Sequence, residues 1–187
     1  MREVPVCNFK HLNPGVWPDN FELEAETDLL PVLADAGRQG RIKYVIQNET
    51  LFTSHNGTGI DKVTGKFCDI PCDFISAPRS YSPVFSRFCT DEKELRSISP
   101  PFIENKRFLE LQGMVSTYQG TGNPDSGQIL NAFQLWFAEQ NGCGYFLTVD
   151  YSLIEVIRKQ NGRLLTEVVK PSELIKIIFN SENREVT

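Results

Sequence analysis

Residues 141–154, Asn-Gly-Cys-Gly-Tyr-Phe-Leu-Thr-Val-Asp-Tyr-Ser-Leu-Ile, restrict the fold more than any other stretch of this chain. The apolar run Tyr145-Phe146-Leu147 is bounded by glycines on one side and by Thr148-Val149-Asp150 on the other. The pattern predicts a buried strand over 145–149 and a helix over 152–160 that follows at once. Asp150 then stands at the C-terminal tip of a strand, the edge at which open α/β sheets bind their ligands. The segment before it reads as a helix. Asn123 caps it, Pro124 takes its first position, and Ile129, Leu130, Phe133, Trp136 and Phe137 form its buried stripe. Asp125 falls in the first turn of that helix. Two acids at two neighbouring element ends, Asp125 and Asp150, are placed to converge on one divalent cation.

The rest of the chain repeats the alternation. Residues 22–36 predict a helix, with Leu29, Leu30, Leu33 and Ala34 at helical spacing and Gly37 as its stop. Residues 41–46 predict a strand, and a short strand is expected over 4–9. Residues 104–118 predict a helix with Phe108, Leu109, Leu111 and Met114 apolar. A strand over 164–169 and a helix opening at Pro171-Ser172-Glu173-Leu174 complete the series. Helix and strand in alternation predict an α/β fold with a mostly parallel sheet, in which strands 41–46, 145–149 and 164–169 are neighbours. Residues 53–102, rich in Gly, Pro, Ser and Asp, read as an irregular insertion into a single domain spanning 1–187, with a short helix near 91–98.

At 40% hydrophobic residues the chain has enough apolar surface for a real core, which argues against disorder. A net charge of -5 does not mark a nucleic-acid binder by bulk electrostatics. No stretch approaches the roughly 18 to 20 consecutive apolar residues of a membrane helix, and Met1-Arg2-Glu3-Val4-Pro5 has no signal-like apolar run. The expectation is a soluble cytoplasmic protein with no membrane partner.

Five cysteines, an odd number, and no export signal argue against a disulfide framework. His55, Cys68, Cys72 and Cys89 all lie in the insertion, and the gap in Cys68-Asp-Ile-Pro-Cys72 suits a structural Zn²⁺ site. Ordinary reduced, buried cysteines are the competing reading. Arg38, Arg41 and Lys43, and Arg79, Arg87, Lys106 and Arg107 with Tyr81, Phe85 and Phe88 nearby, either contact phosphates and bases or form a solvated surface. Asp125 and Asp150 also have a plain alternative role, since acids at helix starts are favourable with no function attached.

The helix-start acid at Asp125, the Gly-rich turn before a strand ending Thr148-x-Asp150, and the Pro171-Ser172-Glu173-Leu174 helix start together resemble a PIN domain. The likeness covers about residues 122–178 and extends weakly to 22–50. It implies a three-layer α/β sandwich and an Mg²⁺- or Mn²⁺-dependent endoribonuclease. Asp125, Asp150 and Glu49 would be its metal ligands, and Asp125, Asp150 and Thr148 its catalytic residues. It also implies RNA as substrate and a protein partner such as an antitoxin, since the family includes toxins of bacterial toxin–antitoxin pairs. This sequence departs from the family pattern in two places. The first-strand acid is replaced by Asn8, and Glu49 matches the helix acid only in position. The departures imply weak or lost activity, and leave open a catalytically inactive RNA- or protein-binding module.

Overall fold

The computed structural model describes residues 3–4, 20–47, 70–75, 105–116, 126–160 and 163–182. In chain order these form β1 (Glu3–Val4), α1 (Asn20–Asp28), α2 (Leu30–Arg38), β2 (Lys43–Gln47), β3 (Cys72–Ile75), α3 (Lys106–Ser116), α4 (Ser126–Gln140), β4 (Tyr145–Leu147), α5 (Tyr151–Lys159), β5 (Glu167–Val169) and α6 (Pro171–Glu182). The fold is α/β, and every strand pair among the described residues is parallel: β1 with β2, β2 with β3, and β4 with β5.

The core explains why β4 is wholly apolar and why β2, β3 and β5 are mostly so. Side chains of successive strand residues point to opposite faces. Tyr44, Tyr145, Leu147 and Val169 enter one buried cluster, with Leu30, Leu33 and Ala34 of α2 and Leu174 and Ile178 of α6. Val45, Phe146 and Val168 enter the other, with Phe108 and Leu111 of α3, Phe133 and Trp136 of α4, and Leu153 and Ile154 of α5. Strands buried on both faces read as continuous apolar runs, as 145–147 does.

Four sequence expectations need correction. The helix expected over 22–36 is two helices with a joint at Leu29. Pro31 is the cause: it has no N–H to donate back to residue 27, so the ladder stops and restarts with proline in the first turn of α2. Gly37 does not stop α2. It lies inside the helix where Tyr44 packs so closely that an added Cβ would come within 2.6 Å of the ring. The stop is Gly40, at φ 69°, where Arg41 N–H bonds to Ala36 O and Gly40 N–H to Gly37 O.

The strand order also differs. β4 and β5 are neighbours as expected, but β2 pairs with β1 and β3. β3 lies in the segment read as irregular. Its four residues are too few to show a period amid the surrounding Gly and Pro, yet Ile70 before it is buried. The expected helix near 91–98 and most of the 4–9 strand lie outside the described residues. Among the described residues no helix is long and apolar enough to cross a membrane.

Candidate functional site

β4 and β5 run parallel, so their C-terminal ends open on the same edge. Thr148 continues β4 by one bond, its N–H donating to Val169 O at 3.0 Å. Its buried hydroxyl accepts from Asp150 N–H at 3.1 Å, which folds the chain back into α5. Asp150 is the N-cap of α5, in extended conformation (φ -77°, ψ 91°), and its Oδ1 accepts from Leu153 N–H at 3.0 Å. The plain role of Asp150 is therefore real. The cap uses Oδ1 and leaves Oδ2 outside it. Thr148 bonds to the backbone of Asp150, not to its carboxylate.

The neighbouring helix, α6, starts at the end of β5 by a different arrangement. Lys170 occupies its N-cap position, with Leu174 N–H bonding to Lys170 O at 3.0 Å. Lysine has no acceptor to offer. Glu173 supplies half of a capping box, its Oε2 accepting from Lys170 N–H at 3.0 Å. Arg158 of α5 holds the same carboxylate through contacts of 2.6 and 2.8 Å. Burial pushes the Glu173 carboxyl up, but the Lys170 N–H and Arg158 outweigh it and leave it below the usual carboxylate range. The other acceptor comes from α1. Glu26, only 7% exposed, accepts from Ser172 N–H at 2.8 Å and from Ser172 Oγ at 2.7 Å, with Lys170 Nζ 3.6 Å away.

Tyr151 joins the two helix starts. Its hydroxyl donates to Glu22 O at 3.3 Å, and Lys170 Nζ lies 5.2 Å from its ring centroid. Burial, then the carboxylates of Glu26, Glu22 and Glu173, push its phenol up to about 12. Thr148, Asp150, Tyr151, Lys170, Ser172 and Glu26 thus gather at one strand edge. Sequence reasoning finds Thr148 and Asp150 and misses the others. Glu26 sits in a helix crowded with acids and carries no sequence signal that would single it out.

Among the proposed ligands, Asp125 immediately precedes α4 in sequence but lies outside the described residues, as do Glu49 and Asn8. His55, Cys68 and Cys89 also lie outside them. Cys72 is half-buried in β3, where burial and then Asp73 push its thiol up. Among the described residues no group of three or more His, Cys, Asp or Glu is placed to hold a metal ion. One oxygen stands out: Oδ1 of Asn131, in the second turn of α4, is buried without a hydrogen-bond partner. Comparison of the chain with protein-family models, with curated proteins and with solved structures finds no match.

Proposed function

We propose that this chain is a PIN-like, metal-dependent endoribonuclease of weak activity, with Asp150 as a metal ligand at the C-terminal edge of β4 and β5. The observation that carries the reading is the hydrogen-bonded Thr148–Asp150 turn. It holds a carboxylate at the end of a parallel strand pair, with one oxygen outside the helix cap. The wider architecture supports it. Core clusters lie on both sides of the strands, and β1 lies close to β4, as the sheet of a three-layer sandwich requires.

The donor chemistry fits Mg²⁺ or Mn²⁺, which prefer oxygen ligands and keep several waters. The buried Oδ1 of Asn131 on α4, without a hydrogen-bond partner, is an acceptor of the kind that an ion or its water would satisfy. Asp150 and Asp125 would hold the metal, and Thr148 fixes the backbone from which Asp150 reaches it. When bound, the ion activates a water and offsets charge on the phosphate.

The second reading, a catalytically inactive RNA- or protein-binding module, is favoured by the engagement of Asp150 Oδ1 as a cap. The two are separated by incubating the chain with several single-stranded RNAs in Mn²⁺, Mg²⁺ or EDTA. The nuclease reading expects slow cleavage that EDTA stops. RNA retention without cleavage in any metal would favour the binding module.

A further inference from the structure

We propose that α1 is a displaceable strap over the C-terminal edge of β4 and β5, latched by the Glu26 carboxylate on the start of α6. Its consequence for regulation rests on the reading of that edge as the functional site; the strap itself does not.

The first argument is how α1 is held. A helix docked by the hydrophobic effect buries an apolar stripe, and α2 does so with Leu30, Leu33, Ala34 and Ala36. Among the described side chains of α1 the buried one is Glu26. Glu22, Glu24, Ala25 and Asp28 are exposed, and Leu23 and Thr27 are half-buried. Among the described side chains of α1 the buried contact is therefore polar. Both Glu26 oxygens are used, Oε2 on Ser172 N–H at 2.8 Å and Oε1 on Ser172 Oγ at 2.7 Å.

The second argument is the joint. α1 and α2 are separate helices that meet at Leu29, and Pro31 prevents one helix from running through. The bonds across the joint are short-range, Leu29 N–H to Glu26 O and Leu33 N–H to Leu29 O. α1 can therefore swing without loss of the apolar packing of α2.

The third argument is what lies beneath. Glu22 O receives the Tyr151 hydroxyl, and Tyr151 follows Asp150 directly. Release of α1 frees Tyr151, the Ser172 N–H and hydroxyl, and the Lys170 ammonium over the Tyr151 ring. The latched state covers these donors, and the open state presents them.

Hydrogen exchange followed by mass spectrometry on the full chain tests the strap. In Glu26→Ala, amides over 22–28 and at Ser172 are expected to exchange about tenfold faster or more, while α4 and β4 keep wild-type protection, the signature of a local opening. Ser172→Ala keeps the N–H bond and loses the hydroxyl, so the same segments should exchange faster by a smaller factor. Unchanged exchange over 22–28 in both variants would overturn the latch. A uniform rise across α4, β4 and α6 would show α1 to be part of the cooperative core, and would overturn the strap. None of these readings depends on metal binding or RNA cleavage.

Discussion

The starts of α5 and α6 stand side by side at the ends of two paired strands, and both must satisfy the free N–H groups that every helix N-terminus exposes. They do so by opposite means. α5 is capped from within, by the residue that precedes it, Asp150. α6 has lysine at that position and takes its acceptor from Glu26, 146 residues away in sequence. A local cap forms whenever the helix forms. A remote cap forms only when α1 is docked. The same edge therefore holds one fixed helix start, which positions a carboxylate, and one conditional start, which depends on a second element.

This contrast is broken or sharpened most strongly by Glu26→Ala. The change leaves the Ser172 donors without their acceptor, a cost of about 2 kcal/mol on the scale of removing one partner of a buried polar pair. That cost should appear as faster amide exchange over 22–28, with the midpoint of global denaturant unfolding little changed. A fall in that midpoint as large as that of Asp150→Ala would show that the remote cap belongs to the cooperative core, as the local one does. Asp150→Ala should cost about 1 kcal/mol, the usual cost of losing an N-cap. Asp150→Asn should cost less, because asparagine still caps.

Two smaller effects follow from ionisation. The phenol of Tyr151 titrates at about 12 in place of 10, so between these values the folded chain binds more protons than the unfolded one. The stability this contributes is full below pH 10 and is lost as pH rises toward 12. Tyr151→Phe should remove that slope from an alkaline melting series. Glu173 shifts the other way: its folded carboxyl lies below the ordinary 4.5, so its contribution is full above that pH and is lost on further acidification. Glu173→Gln should flatten melting temperature against pH on the acid side.

The fixed start was legible in the sequence and the conditional one was not, for a physical reason. Strand, turn, cap and helix at 145–159 are set by neighbours in sequence, and Asp150 announces itself by spacing alone. Pro171-Ser172-Glu173-Leu174 reads correctly as a helix start, but nothing local reveals that its acceptor is Glu26. The break at Leu29 was readable from Pro31, yet the apolar spacing across it suggested one helix. β3 was hidden because four residues carry no period. Of the candidate Mg²⁺ or Mn²⁺ ligands, Asp150 alone lies among the described residues, with Thr148 beside it as the group that fixes its backbone.

Whether the Asp150 carboxylate serves a metal as well as a helix is tested most directly by Mn²⁺ binding, read by electron paramagnetic resonance on the wild type and on Asp150→Asn, with thermal melts of both. Asparagine keeps the cap and removes the charge. The expected result is Mn²⁺ bound by the wild type and not by Asp150→Asn, with stabilities that agree to within about 1 kcal/mol. Equal Mn²⁺ binding by the two, or none by the wild type, would contradict the assignment of Asp150 as a ligand and leave it a helix cap.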